Sequence, residues 1–192
     1  MASSEICNAV DKAAQKFEEM GCIVHEIQMT PLYDWSSCGT LIMTAEAYAI
    51  HEHNLRTRFT DYGEIFRDRL ALAGLFTAAD YIHATQRRRE FIDELDKAMM
   101  NLDMIITATA ATCARNFDAP VKFSIYEKPL LTIPFNVTGN PAISVCCGYS
   151  EIGLPLGLQI IGKRFDESTV LTLAHAYEQA TPWHEKHPSL VF

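Results

Sequence analysis

Residues 132–162 read TIPFNVTGNPAISVCCGYSEIGLPLGLQIIG, two short apolar runs fenced by Pro, Gly and Asn. Ala142 to Cys147 and Leu156 to Ile161 are brief, β-favouring and bounded by breakers, as strands inside a sheet are. Pro141 and Pro155 stand at their entrances. Proline has no N–H for a ladder, so it is tolerated at a strand's first position and speaks against helix for either run.

Downstream, Asp166 is placed to cap a last helix, with Glu167 in the first turn, where the helix dipole favours a carboxylate. Val170, Leu173, Ala174 and Tyr177 then face inward, and Thr181 to Phe192 is a tail. Upstream, Thr109 to Leu130 holds Pro120 and Pro129 and shows no periodic pattern. Irregular segments of that length in compact domains tend to border functional sites. Leu102 to Ala108 reads as a buried strand. Before it, Thr77 caps a helix from Ala78 towards Met100 with Tyr81, Ile82, Phe91, Leu95 and Met99 on or near its buried side. Asp61 to Ala73 is a further helix closed by Gly74, and Thr40 to Arg58 another, with Leu41, Ala45, Tyr48 and Ala49 on one face. Thr30 to Gly39 (TPLYDWSSCG) reads as a loop and Cys22 to Ile27 as a short strand. Ser3 or Ser4 caps a first helix whose apolar positions, Ile6, Val10, Ala13, Phe17 and Met20, recur every three or four residues up to Gly21.

This order predicts an α/β fold, a mixed sheet covered by helices, with residues 1–192 in a single domain. Such domains usually open on a strand, whereas this chain opens on a helix, so the sheet is expected to be incomplete. The 48% hydrophobic content supports a core and excludes disorder, and a net charge of −8 gives no footprint for nucleic acid. The one basic run, Arg87-Arg88-Arg89, reads as a solvated helix face. Six cysteines, at 7, 22, 38, 113, 146 and 147, show no repeated spacing and no CxxC, and no secretory leader is seen; a reduced, cytoplasmic protein is expected. Cys146 and Cys147 are adjacent, and on a strand they face opposite sides. No apolar run approaches the roughly 18 residues of a membrane span.

The run TIPFNVTGNPAISVCCG, followed by GLPLGLQIIG and FDESTVLTLAHAYEQ, resembles the carboxyl-terminal portion of the amidase signature family, in which Asn, Gly-x-Pro-x-x-Ser, Gly-x-Pro-x-Gly-x-Gln and a closing Glu-bearing helix recur in that order. Leu102 to Thr109 is similar to that family's Asp-containing strand and following turn, Asp80-Tyr81 through Arg89 to its long helix, and Gly21 with the strand expected after it to its Gly-Ala-x-Val step. Two positions depart: Ala108 and Cys146 stand where the family usually has proline. The resemblance implies hydrolysis of carboxamide C–N bonds by a serine nucleophile, a second serine and a lysine base, all upstream of the part matched here. A serine hydroxyl needs a positioned base and oxyanion donors to attack an amide. These 192 residues contain no Gly-Gly step and no Gly/Ser-rich loop to carry that triad. The expectation is therefore a carboxyl-terminal fragment of an amidase signature hydrolase, inactive alone, with no catalytic residue and no cofactor of its own.

By position relative to the family's loops, Arg67, Thr107 and Thr109 are candidates for substrate contact. Asn136 joins them, although an Asn with Gly139 three residues on also shapes a turn. A small amide would then bind only together with the missing amino-terminal half. Within the family, the amidase-type subunit of a transfer-RNA-dependent glutamine amidotransferase is an alternative. Its members read glutamine with an acidic residue shortly before the TIP-like run, and here that position holds Pro129, with Glu127 close by. From a different class, a non-catalytic module could dock onto an amino-terminal partner chain or a second copy of itself. A sheet lacking half its strands leaves an unpaired edge and an apolar patch, so a homo-oligomer is expected.

Other residues read as structural. Ser36-Ser37 echoes a serine pair, but Trp35 and Cys38 replace the glycines that would let the backbone close on an oxyanion. Ser144 lies within a strand, without the strained elbow of a nucleophile. His51 and His53 on a helix point about 200° apart and cannot share an ion. His184 and His187 lack further ligands, so no metal is expected. Cys147 with His175 as a thiol and base requires a tertiary contact, and a buried cysteine mostly behaves as a small hydrophobe.

Overall fold

The computed structural model describes residues 2–118, 122, 123, 126 and 128–188. Its strands are β1 (Met104–Ala108), β2 (Ala142–Tyr149) and β3 (Pro155–Gly162), all antiparallel in the order β1-β3-β2. The central strand pairs Ile160 with both Ile106 and Ile143. Leu156, Leu158, Gln159, Ile160 and Ile161 are each at most 4% exposed. Both edges of β3 are bonded and both faces covered, which is why its sequence reads as a nearly unbroken apolar run. The β2–β3 turn closes through Ser150, whose N–H donates to Leu154 O at 2.8 Å while its Oγ accepts from Leu154 N at 3.0 Å; Gly153 takes the left-handed φ of +81° that the turn requires. A bulge between Cys146 and Gly148 interrupts the register.

The chain divides into two compact units. The first comprises Met1–Gln28, Asp96–Arg115 and Gly139–Phe192. In it, α1 (Ser4–Glu19) is capped by Ser3 Oγ and buries Ile6, Ala9, Ala13 and Phe17. The helix α6 (Glu167–Gln179) is capped by Asp166 and buries Val170, Ala174 and Tyr177. The Phe17 and Tyr177 rings meet at 5.0 Å. Gly162 is required where β3 meets α6, because a Cβ there would run into Val170 Cγ2.

The second unit comprises Met29–Leu95 and Asn116–Thr138. It holds α2 (Leu32–Thr57), a 3-10 turn at Phe59–Asp61, α3 (Glu64–Ala73), α4 (Ala78–Ala98) up to Leu95, and α5 (Ile133–Thr138). Trp35 stacks on Phe91 with centroids 4.0 Å apart, and its indole N–H donates to Thr30 O. The Glu94 carboxylate in turn accepts from Thr30 N and Thr30 Oγ1, both at 2.7 Å. α5 lies against α2 so closely that a Cβ at Gly39 would sit 2.6 Å from Ile133 Cγ2 and 2.8 Å from Val137 Cγ2.

Several expectations are corrected. Residues 22–29 form no strand; the local alternation cannot supply a neighbour to pair with, and Ile23 is 90% exposed. Thr30 to Gly39 is a loop only at its start, since α2 begins at Leu32 after Pro31 and buries Trp35 and Cys38 in its first turns. The inward residues of α2 include Ile42 and Leu55, rather than the Leu41, Ala45, Tyr48 and Ala49 face. Gly63 opens α3, so Asp61 belongs to the 3-10 turn. Ile82 is 52% exposed, whereas Phe91, Leu95 and Met99 are buried as expected. TIPFNVT contains the helix α5; Pro134 fits its first turn because the N–H it lacks would have no intrahelical acceptor. The tail carries a 3-10 turn at Trp183–Glu185, held by Tyr149 Oη donating to Trp183 O at 3.1 Å. Within the basic run, Arg87 and Arg89 are exposed, but Arg88 is half-buried and donates to Val137 O at 2.7 Å. Pro120 and Glu127 lie outside the described residues. Among the described residues, no helix is long and apolar enough to cross a membrane.

If β3 carries the core of its unit, Leu158→Ala, at a fully buried position, should cost about 2–5 kcal/mol in urea unfolding. Ile23→Ala should stay within about 0.5 kcal/mol by the same measurement.

Candidate functional site

The sequence LYDWSSCGTL begins α2, and its helical spacing separates two sets of side chains. Trp35 and Cys38 enter the core, while Ser36, Ser37 and Thr40 come together one turn apart. Ser36 is 6% exposed, and its Oγ accepts from Leu130 N at 3.0 Å. Ser37 Oγ donates to Tyr33 O at 2.8 Å. Thr40 is 5% exposed, and its Oγ1 is buried with no hydrogen-bond partner among the described residues. Leaving a buried hydroxyl unpaired costs about 1–3 kcal/mol, so this is a site where folding retains an unmet polar group.

The other wall comes from far along the chain. Tyr126, Lys128 and Pro129 line the same cavity, of about 230 Å³, with Leu41 and Phe76 as its apolar lining. Described residues on either side of it are bonded to the second unit's helices. Leu130 N bonds to Ser36; further back, the Lys122 ammonium pairs with Glu64 at 2.7 Å and with Asp68, and Lys122 O accepts from Arg69 Nε. Hydrogen bonds from Lys122 and then Arg67 hold the Asp68 carboxyl below its usual range. Among the described residues lining the cavity, Lys128 is the one cation and none is a carboxylate.

The residues singled out from the sequence fall elsewhere. In the first unit, Thr107 pairs with Gln159 across the β1–β3 ladder. Just beyond β1, Thr109 N donates to Gly157 O at 2.8 Å, and Thr109 Oγ1 shares a 2.7 Å hydrogen bond with Ser144 Oγ. A Cβ at Gly157 would lie 2.9 Å from Thr109 Oγ1, so this glycine makes room for the hydroxyl pair. Ser144 is thereby bonded rather than poised. In the second unit, Arg67 lies over Phe59 at 4.8 Å and pairs with Asp68 at 2.9 Å, while Asn136 is exposed on α5. Ala108 is buried and Cys146 half-buried, its Sγ donating to Gly148 O.

Cys147 is buried and donates to Leu156 O; burial pushes its thiol up to about 11. His175 is exposed, and no described hydrogen bond joins the two. Burial likewise raises the thiol of Cys38, which donates to Ala84 O. His51 Nδ1 meets Tyr62 Oη at 3.0 Å. His184 and His187 are exposed, and among the described residues no cluster of three His, Cys, Asp or Glu could hold a metal ion. The residues that the sequence reading missed are Ser36 and Thr40 as cavity lining. The signal lay in Trp35, Cys38 and Ile42, whose three- and four-residue spacing marks a helix running through the supposed loop.

Comparison with known proteins adds a second line. The family model described as Amidase matches residues 1–171. The chain is 33% identical over 213 residues to a glutamyl-tRNA(Gln) amidotransferase subunit from Thermodesulfovibrio yellowstonii, covering 97% of this chain and 44% of that protein. It is 42% identical over 144 residues to the like-named protein from Lysinibacillus sphaericus, covering 70% of this chain and 29% of that one. Among solved structures, that of an amidase has a TM-score of 0.83 at 23% identity, covering 93% of this chain and 42% of the other, which shows the fold. The glutamyl-tRNA(Gln) amidotransferase subunit from Thermotoga maritima has a TM-score of 0.72 at 26% identity, covering 94% and 40%. The chain thus spans less than half the length of these relatives.

Thiol reactivity tests the local electrostatics. At pH 8 a disulfide reagent should label Cys7 and Cys22, which are exposed, within minutes. Cys38 and Cys147 should react only on unfolding, as resolved by mass spectrometry of peptides.

Proposed function

This chain belongs to the amidase family, and on that premise we propose that it forms the carboxyl-terminal part of an amide hydrolase whose serine nucleophile and lysine base are carried on another segment or chain. The observation that supports this most directly is a family match through residue 171 in a chain that carries no Gly/Ser-rich segment. In this reading the β1-β3-β2 sheet and its helices are scaffold. The reaction is serine attack on a carboxamide carbonyl, release of ammonia or amine from an acyl-enzyme, and hydrolysis by water. Residues 1–192 are read as part of one domain, working in the cytoplasm with an amino-terminal partner chain or as a homo-oligomer. Thr107, Thr109, Arg67 and Asn136 are the residues assigned to substrate contact, each testable by alanine substitution in the active assembly.

A second reading, the amidase-type component of a transfer-RNA-dependent glutamine amidotransferase, is favoured by the names of the relatives at 33% and 42% identity. Pro129 stands against it, because proline cannot pair with the amino group of glutamine as an acidic side chain would.

The test is turnover of simple aliphatic and aromatic carboxamides, followed by ammonia release. The 192-residue chain alone should release none. Joined to, or mixed with, the amino-terminal portion of a family member, it should release ammonia. Turnover by the chain alone, abolished by replacing one of its own residues, would overturn the proposal.

A further inference from the structure

Residues 22–28, CIVHEIQ, follow α1 after Gly21, whose left-handed φ of +94° ends that helix. They form no helix, turn or strand, and among the described residues none from 23 to 29 makes a hydrogen bond. An uninterrupted run of backbone N–H and C=O groups therefore lacks a described partner, and such a run is a template for an added strand. The run contains neither proline nor glycine, so nothing in it blocks a ladder. Its side chains are accessible: Ile23 is 90% exposed, and Cys22, His25, Glu26 and Gln28 are exposed with it. Once extended, the run sets Ile23, His25 and Ile27 on one face and Cys22, Val24, Glu26 and Gln28 on the other.

We propose that residues 22–28 pair with the same residues of a second copy of this chain, as antiparallel strands about a two-fold axis at His25. A two-fold contact needs a patch that complements itself, and this run does so when laid against its own reverse. With His25 facing His25 of the second copy, Ile23 lies opposite Ile27 and Ile27 opposite Ile23. The isoleucines of both copies then share one face of the ribbon as directly opposed apolar pairs, the unit of sheet stabilisation. A shift by one residue sets Ile23 against Gln28 and divides the isoleucines between the two faces, so the pattern selects the register centred on His25. The inference names the element through which the homo-oligomer included in the function proposed above would form. It rests on that reading only for the choice of a second copy; the open backbone and the register do not. A two-stranded ribbon is marginal by itself, so the dimer is weak and forms at high protein concentration.

Sedimentation velocity of the intact 192-residue protein over a wide range of concentration reads the association, and a monomer–dimer equilibrium is expected. Ile23→Lys and Ile27→Glu should each weaken the dimer about tenfold, because each removes both opposed isoleucine pairs. The double variant should recover to within about threefold of the unchanged chain, since the new lysine at 23 faces the new glutamate at 27 of the other copy. His25, exposed and on the axis, gives a second test. His25→Glu and His25→Lys should each dimerise poorly alone, with like charges face to face, and should associate with one another when mixed. Should Ile27→Glu fail to fold, the His25 pair decides alone. A monomer at every concentration, a dimer that Ile23→Lys leaves unchanged, or His25 variants that do not associate when mixed would each overturn the proposal. So would protection of the amides of residues 22–28 from hydrogen exchange that arises only on adding an amino-terminal amidase portion, which assigns the open backbone to that portion. The two readings fail separately. Amide turnover by the joined protein, with the chain alone monomeric, removes this dimer and leaves the hydrolase, whereas a dimer that follows the charge exchange without turnover in any assembly does the reverse.

Discussion

The first unit depends on β3 being bonded along both edges at once. Because β1 and β2 occupy its two sides, its backbone groups have ladder partners, and its side chains can be apolar at consecutive positions without leaving a wet face. The seats of the flanking helices follow. α6 reaches the sheet only because Gly162 has no side chain, and α1 meets α6 through Phe17 and Tyr177. The second unit has its own fixed point, the Trp35 and Phe91 stack, held by a chain of hydrogen bonds from the Trp35 indole through Thr30 to Glu94. That chain anchors the segment entering α2 and so fixes the turns from which Ser36 and Thr40 project.

What the sequence discloses and what it hides follow from range. The β2–β3 hairpin is legible because its punctuation is local: Pro155, Gly153 and the Ser150 bonds all act within a few residues. The caps at Ser3, Thr77 and Asp166 are legible for the same reason, each bonding a backbone N–H three residues on. Cys22 to Ile27 misleads because alternation states a preference without supplying a partner strand. The start of α2 misleads because Ser36 and Thr40 are polar yet buried, and the group that accounts for Ser36, Leu130 N, lies 94 residues away. α5 is hidden because six residues are too few to show a period.

The candidate site divides in the same way. Family resemblance points to Thr107, Thr109, Arg67 and Asn136, and the structure finds Thr107 in the ladder and Thr109 bonded beside it, Arg67 engaged with Asp68 and Phe59, and Asn136 on the surface. The cavity is a product of tertiary contact, built from α2, Phe76 and the segment through Pro129, and no short motif announces it. Pro129 belongs to both accounts. In the sequence it marks a departure from the amidotransferase branch, and in the structure it lines the cavity.

The central claim is that this chain supplies scaffold to an amide hydrolase while its nucleophile lies elsewhere. The most direct measurement is covalent labelling by a serine-directed fluorophosphonate, with the modified residue located by peptide mass spectrometry. The isolated chain should remain unlabelled, and in assembly with an amino-terminal amidase portion the label should fall on a serine of that portion. Stoichiometric modification of Ser36, Ser37 or Ser144 in the isolated chain would contradict the account.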